Sequence, residues 1–127
     1  MTEATKLGPD DLLQRNIARV FNERDAGKRI AGLQETWTEQ AIMYEADAVL
    51  DGHQAISDAV GALQRHLPDG THFRPLAPAI VNHDAAMLRW EAVSGAGQRV
   101  VTGTDLAFIE EGRIRALYVF LDPPAQG

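Results

Sequence analysis

Three polar side chains lie among apolar residues, and two of them are carboxyl groups that could take part in acid–base chemistry. The segment TGTDLAFIEEGRIRALYVFLD (102–122) is typical of two strands joined by a tight Glu-Glu-Gly turn, and one of those strands carries Asp105. A carboxylate on a covered strand is costly unless it is paired, hydrogen-bonded or protonated. Because an apolar wall raises the pKa of a carboxyl group, Asp105 is a candidate for holding or moving a proton.

Periodicity places two more polar groups on the interior side of their elements. At about 100° per residue, Asn16 falls inside the apolar arc of the first predicted helix. Counted by twos, Asp105 shares a strand face with Val101, and Glu45 points away from Tyr44. Asn16, Glu45 and Asp105 could therefore meet around one cavity.

Each of these residues also has a purely structural interpretation. Asp105 could cap a turn or pair with Arg89 or Arg99, Glu45 could be a solvated acid at a strand edge, and Asn16 could hydrogen-bond a neighbouring loop. A role in the pocket is favoured for Asp105 because apolar residues flank it and because perturbed carboxyl groups concentrate at functional sites.

Other catalytic signatures are missing from the sequence. GHQAISDAVG (52–61) lacks the lysine and the spacing of a P-loop, and GAGQRV (95–100) lies in a turn between two strands. Neither Ser57 nor Ser94 stands in a G-x-S-x-G motif. The four histidines stand on different predicted elements, and there is no cysteine. We therefore expect no metal and no cofactor.

Composition describes a globular protein with one domain, 1–127. Of the 127 residues, 45% are apolar and 24% are charged. A net charge of −6 without a cluster of basic residues argues against nucleic acid or an anionic membrane as a partner. The N-terminal residues lack a signal-peptide pattern and no stretch is apolar enough to span a membrane, so we expect a cytoplasmic protein.

Helical periodicity dominates the first half of the chain and strand periodicity the second. The sequence predicts a helix from Pro9 to Gly27, a shorter one through Ile30, Leu33 and Trp37, a strand at 41–46, a helix with the apolar stripe Ile56, Val60, Leu63 and Leu67, and strands at 71–81, 86–94, 98–109 and 114–121. This order predicts an α+β fold whose helices lie on one side of a curved antiparallel sheet.

The pattern resembles the nuclear transport factor 2-like superfamily, which includes ketosteroid isomerases, SnoaL-like polyketide cyclases and scytalone dehydratase. The segments that carry the resemblance are GHQAI (52–56), RWEAVSGAGQ (89–98) and GTDLAFIEEGRI (103–114), with FLD (120–122) ending the next strand. The resemblance covers nearly the whole chain. It implies a cone-shaped sheet with three helices packed on its concave side around a pocket.

The resemblance also implies roles for individual residues. Asp105 matches the late-strand aspartate that ketosteroid isomerases keep protonated to bind the dienolate oxygen. Glu45 falls nearest to the proton-shuttling aspartate, although a slip of one residue would put Ala46 there, and Asn16 replaces the tyrosine of the oxyanion site. The remaining positions that we expect to bind substrate or line the pocket are Trp37, Leu88, Trp90, Ala92, Val101 and Gly103. The two tryptophans could equally belong to the core.

Two functions fit these observations. The first is a small cofactor-independent isomerase, cyclase or dehydratase in which Asp105 and Glu45 transfer a proton on an apolar, carbonyl-bearing molecule. The alternative is a non-catalytic module of the same fold that binds a small molecule or dimerises. We favour the enzyme because a binding protein needs no pair of interior acids.

The side chains that alternate to the outer face of the predicted sheet indicate how the protein assembles. With Asp105 turned inward, Leu106 and Phe108 point to the outer face of the sheet, and Tyr118 and Phe120 join them on the neighbouring strand. A monomer of this size rarely exposes several adjacent apolar side chains. We therefore expect a homodimer formed through the outer sheet face.

Overall fold

The computed structural model describes residues 7–123, which fold into three helical elements and seven strands. Its helices are α1 (Pro9–Asn16), which continues into a π-helical segment (Ile17–Phe21), α2 (Ala26–Thr36) and α3 (His53–His66). Its strands are β1 (Trp37–Glu45), β2 (Ala48–Asp51), β3 (His72–Pro75), β4 (Ile80–Asn82), β5 (Ala85–Val93), β6 (Arg99–Glu110) and β7 (Arg113–Leu121).

Local sequence signals explain where the helices begin. Pro9 occupies the first turn of α1, where its missing N–H costs nothing. Asp25 caps α2 by accepting a hydrogen bond from the backbone N–H of Lys28, and Gly52, at a positive φ of 93°, precedes α3. Gly27 lies in the first turn of α2, so the prediction that it ends the first helix is wrong: that helix ends at Phe21.

Trp37 begins a strand instead of ending the second helix, which corrects a second boundary. It is the first residue of β1 and has an extended backbone, with φ of −114° and ψ of 155°. The flanking Thr36 and Thr38 are β-branched, and such residues together with an aromatic favour extended chain over helix. The strand predicted at 41–46 is accordingly longer, and it forms a hairpin with β2, which the sequence pattern did not reveal.

The seven strands form one curved sheet in the order β2-β1-β7-β6-β5-β3, with β4 also paired to β5. All neighbours run antiparallel except β1 and β7, which run parallel, so the sheet is mixed and not wholly antiparallel as predicted. Turn signals fix the direction of strands that follow one another in a hairpin, but they say nothing about strands from opposite ends of the chain.

Two prolines divide the strand predicted at 71–81. The segment becomes the short strands β3 and β4, which both pair with β5. Pro75 ends β3 and Pro78 lies between the two strands, where the lack of an N–H prevents continuous pairing.

One face of the sheet packs against the helices, as the α+β prediction requires. The apolar side chains that are almost or wholly buried between the two layers include Leu12, Leu13, Val20, Leu33, Trp37, Ile56, Leu88, Ile114 and Leu117. Within residues 7–123, no helix combines the length and the apolar character needed to cross a bilayer.

The opposite face of the sheet carries an apolar row that crosses six strands. Direct cross-strand partners form this row, which we call the outer row: Val49, Tyr44, Tyr118, Leu106, Met87 and Ile80. The rings of Tyr44 and Tyr118 stack with their centroids 4.4 Å apart, and Val49 and Ile80 are 64% and 68% exposed. Phe108 contacts Tyr118, and Phe120, which lies beside the row, is 54% exposed.

We propose that the outer row pairs with the same row of a second copy of the chain. Phe120→Asp places a charge on this face at an exposed position, and we expect it to convert a dimer into a monomer at micromolar concentration. Phe108→Asp should have the same effect. Sedimentation velocity measures the change, and Ala62→Asp, which adds the same charge to the exposed side of α3, should leave the dimer intact. A wild-type protein that sediments as one chain at these concentrations would contradict the proposal.

Candidate functional site

A cavity with a volume of about 290 Å³ lies between the helices and the sheet. Its helical side includes Ile17 and Phe21 of the π-helical segment and Val60 and Leu63 of α3. The sheet contributes apolar side chains from five strands, among them Met43, Phe73, Trp90, Val101 and Val119. Among the described residues, Glu45 and Asp105 are the only charged groups in the lining. The cavity is therefore an apolar chamber with two carboxyl groups.

Asp105 is buried in the wall of this cavity, with 4% of its surface exposed. The indole Nε1–H of Trp90 donates a hydrogen bond to its Oδ1 at 2.8 Å, and no other side chain within residues 7–123 hydrogen-bonds this carboxyl group. Burial raises the pKa of Asp105 to about 7, while the hydrogen bond from Trp90 lowers that pKa and so offsets part of the rise. At neutral pH the carboxyl group is present in both protonation states.

The arginines that offered Asp105 a structural pairing lie elsewhere. Arg89 pairs with Asp122 at 2.9 Å, and Arg99 pairs with Glu91 at 2.9 Å. The interpretation of Asp105 as the partner of either arginine is therefore wrong, and none of the ion pairs among residues 7–123 involves its carboxyl group.

Gly103 makes room for the ring that bonds Asp105. It lies directly opposite Trp90 in the pairing of β5 with β6. A Cβ added to Gly103 would lie 2.5 Å from Cζ2 of Trp90, a separation that carbon atoms do not tolerate. The ring of Trp90 also meets Phe73 edge to face, with centroids 5.5 Å apart. Gly103 itself does not line the cavity, so we assign it to positioning the indole and correct its predicted place in the wall.

Glu45 lies at the rim of the cavity, at the end of β1. It is more exposed than Asp105, and burial together with the charge of Asp47 raises its pKa. Tyr44 of β1 is paired with Tyr118 of the parallel strand β7, so the next residues, Glu45 and Val119, lie side by side. Val119 is in turn paired with Asp105 of β6. The backbones of Glu45 and Asp105 are therefore about two strand spacings apart, roughly 10 Å, and both side chains lie on the same face of the sheet. Ala46, the alternative position for the base, does not line the cavity.

Four other predicted wall residues pack behind the wall. Asn16, Trp37, Leu88 and Ala92 are fully buried, but they do not line the cavity. The indole of Trp37 donates a hydrogen bond to Oδ1 of Asn16 at 2.8 Å, while Nδ2 of Asn16 is buried without a partner among residues 7–123. Asn16 thus faces the interior as predicted, but it holds a neighbouring strand. The prediction that these four residues line the pocket is wrong, because periodicity identifies a face and not a depth.

The sequence pattern missed most of the helical side of the cavity. Val60, Leu63 and Leu67 were assigned to the core as an apolar stripe, and all three also line the cavity. Phe21 and Phe73 line it as well, and their rings contact each other with centroids 5.8 Å apart. The apolar stripe of α3 was the one feature of the sequence that could have indicated these lining residues, because a helix that covers a curved sheet can face either packed side chains or a cavity.

This arrangement suits proton transfer more than metal chemistry. In the part of the chain that the structure describes, no cluster of three or more histidine, aspartate or glutamate side chains could hold a metal ion. The cavity offers one buried carboxyl group with a pKa near neutrality and one carboxyl group at the rim. Two acids in unequal environments can divide the roles of proton donor and proton acceptor.

Comparison with known proteins gives a fold and several relatives. No family model and no curated protein matches the chain. A solved SnoaL-like family protein from Agrobacterium tumefaciens, provisionally named an isomerase, has a TM-score of 0.80 and 26% identity, with 88% of this chain and 95% of that chain covered.

Two further solved structures share the fold at lower identity. A protein from Sinorhizobium meliloti, provisionally named a polyketide cyclase, has a TM-score of 0.67 and 23% identity over 86% of this chain and 93% of its own. A nuclear transport factor 2-like protein from Cytophaga hutchinsonii has a TM-score of 0.68 and 14% identity over 95% and 96%. The chain therefore shares the α+β nuclear transport factor 2-like fold with these proteins.

Proposed function

We propose that the chain is a cofactor-independent enzyme that moves a proton on an apolar, carbonyl-bearing small molecule. The observation that carries this proposal is Asp105, a buried carboxyl group in the wall of an apolar cavity, with a neutral indole as its partner. Burying such a group costs stability, and a cavity that merely holds an apolar molecule has no need of it.

The unequal burial of the two acids assigns their roles. Glu45, at the rim, is the base: it removes a proton from the carbon next to the carbonyl group, and the electrons of that C–H bond move onto the carbonyl oxygen. Asp105 in its protonated form donates a hydrogen bond to this oxygen as the negative charge develops. Glu45 then returns the proton to another carbon as the C=O bond re-forms, which completes an isomerisation without any cofactor. In a ring closure the enolate carbon instead attacks a second carbonyl carbon of the same molecule, and Glu45 gives the proton to the oxygen of that second carbonyl group.

The cavity wall defines the class of substrate. Its volume of about 290 Å³ is at the small end of ligand pockets, and its lining is apolar apart from the two acids. A compact ring with one carbonyl group fits these properties, so cyclic enones and polyketide-like β-dicarbonyl compounds are the first substrates to test. The provisional names of the neighbours, an isomerase and a polyketide cyclase, support this class of reaction.

Substitution of the two acids tests the mechanism. We expect Glu45→Gln to lower kcat by about 10²–10⁴-fold, because the base is lost. Asp105→Ala should lower kcat by about 10²–10³-fold, and Asp105→Asn by less, because its amide still donates a hydrogen bond. Glu39→Gln, on the same strand but outside the cavity, is the matched control and should turn over like the wild type. The measurement is enone isomerisation in single-turnover and steady-state assays.

The same variants separate an enzyme from a binding module. If the wild type binds an enone but shows no turnover above that of the Glu45→Gln, Asp105→Ala double variant, the protein is a binding module and the proposed chemistry is wrong. If turnover persists unchanged in both single variants, the acids are not the catalytic groups.

The protonation of Asp105 can be measured directly. Carboxyl-carbon NMR should show Asp105 titrating near pH 7, and Trp90→Phe should raise this pKa further because the indole N–H favours the ionised form. A midpoint at or below the ordinary value of 3.8 would contradict the proposed role. Since Asp105 must be protonated to donate, kcat should fall as the pH rises through 7.

The raised pKa also predicts how stability depends on pH. Its folded pKa of about 7 exceeds the ordinary value of 3.8, so the contribution of Asp105 is fully present below pH 3.8 and is lost as the pH rises through 7. Asp105→Asn lacks this loss. From pH 5 to pH 8, we expect the variant to gain about 3 kcal/mol in unfolding free energy relative to the wild type. Urea unfolding at both pH values measures the difference, and a constant difference would contradict burial of the charge.

A further inference from the structure

A second, polar groove lies on the other side of α3 from the cavity. It has a volume of about 380 Å³ and lies between the start of α2, the end of α3 and the segment after α3. Three arginines line it: Arg24, Arg29 and Arg65. Leu67 lines both this groove and the apolar cavity, so the two spaces are neighbours with very different walls.

Arg29 is the buried cation of this groove, with only 5% of its surface exposed. Its Nε donates to Oγ of Ser57 at 2.9 Å, and its Nη1 donates to the carbonyl oxygen of Glu23 at 2.8 Å and to Oε1 of Gln64 at 3.2 Å. All three partners are neutral. A buried charge is ordinarily matched by an opposite one, and here the described residues supply none within 4 Å.

Two guanidinium groups converge on one point of α3. A Cβ added to Gly61 would lie 3.0 Å from Nη2 of Arg29 and 3.5 Å from Nη1 of Arg65. Arg24 also lines the groove, and its Nη2 donates to the carbonyl oxygen of Thr71 at 2.9 Å. Like charges in such proximity repel each other, so an anion placed among them would be stabilised.

The distribution of ion pairs singles out this groove. Within residues 7–123, six arginines pair with a carboxylate: Arg15, Arg19, Arg74, Arg89, Arg99 and Arg115. The four that do not are Arg24, Arg29, Arg65 and Arg113. Three of these four arginines line the groove. They have no carboxylate partner among the described residues, although the protein has 18 acidic and 12 basic residues and a net charge of −6.

We infer that this groove binds a small phosphate-class oxyanion, either free phosphate or the phosphate group of a small molecule. Guanidinium groups suit a phosphate because they stay charged at neutral pH and their N–H groups donate charge-assisted hydrogen bonds to its oxygens. The neutral partners of Arg29 hold its guanidinium group in place and leave Nη2 for the ligand. Asp69 also lines the groove, and its negative charge repels an anion there. This repulsion lowers the affinity for the anion, so removal of the charge provides a test.

The experiment is an NMR titration of the full chain with sodium phosphate, against sodium chloride at matched ionic strength. We expect phosphate, and not chloride, to shift the backbone amides of Gly61 and Gly70 in a saturable manner. Arg24→Gln with Arg65→Gln should weaken phosphate binding by about tenfold or more, because two charged donors are lost. Asp69→Asn should tighten it about threefold, because a repulsive charge is removed.

Arg113→Gln is the matched control, since it removes an unpaired arginine from the β6–β7 hairpin, and it should leave the phosphate affinity unchanged. Methyl phosphate, titrated in parallel, distinguishes the two sources of the anion: tighter binding than inorganic phosphate indicates a phosphorylated small molecule, and weaker binding indicates free phosphate. The inference is overturned if phosphate shifts no groove amide, or if Arg113→Gln weakens binding as much as the double variant. It is also overturned if neither the double variant nor Asp69→Asn changes the affinity.

Discussion

The hydrogen bond from Trp90 to Asp105 is the contact on which the cavity depends. It joins β5 to β6 on the covered face of the sheet, so it requires both strands to keep one register. It also requires Gly103, since any side chain there would occupy the space of the indole. A buried carboxyl group with one neutral donor is held in place without being neutralised by a cation. The hydrogen bond fixes the position of the carboxyl group, whereas burial raises its pKa in spite of that bond.

The same register determines both faces of the sheet. Because side chains alternate, turning Asp105 toward the helices turns Leu106 outward, where it joins Tyr118 and Met87 in the outer row. A slip of one residue would bury the outer row and expose the carboxyl group, so burial on one face specifies the other. The acid in the cavity and the apolar outer surface are thus two consequences of one pairing.

Periodicity predicted which residues face inward, and this accounts for much of the site. Asp105, Glu45 and Val101 line the cavity as the alternation indicated, and Trp90 lines it as the resemblance implied. The three helices followed from the helical periodicity before Thr71, and the α+β fold from the change to strand periodicity after it.

The sequence pattern did not predict how deeply a side chain lies behind the cavity wall, whether neighbouring strands run parallel, or where each helix and strand ends. Trp37 and Leu88 face inward but lie behind the wall, because depth depends on how side chains pack. The parallel pairing of β1 with β7 joins distant parts of the chain, and no local turn encodes it. The phosphate-class groove was also invisible, since Arg24, Arg29 and Arg65 come from two separate segments that only the fold brings together.

The cavity stays open because polar contacts fix the distance between the helices and the sheet. The π-helical segment, which carries Ile17 and Phe21 over the cavity, lies between two asparagines. Asn16 accepts the indole N–H of Trp37, and Asn22 exchanges two hydrogen bonds of 2.7 Å with the backbone of Phe73.

These contacts tie the two ends of the segment to β1 and to β3, on opposite sides of the sheet. Collapse of the apolar side chains into the void would recover dispersion energy, but it would break these directional hydrogen bonds. The unpartnered Nδ2 of Asn16 is a local cost of this design, of about 1–3 kcal/mol for a buried amide donor. Because hydrogen bonds anchor the π-helical segment at both ends, there is room for a ligand beneath it. An evenly packed apolar interface would have filled that room.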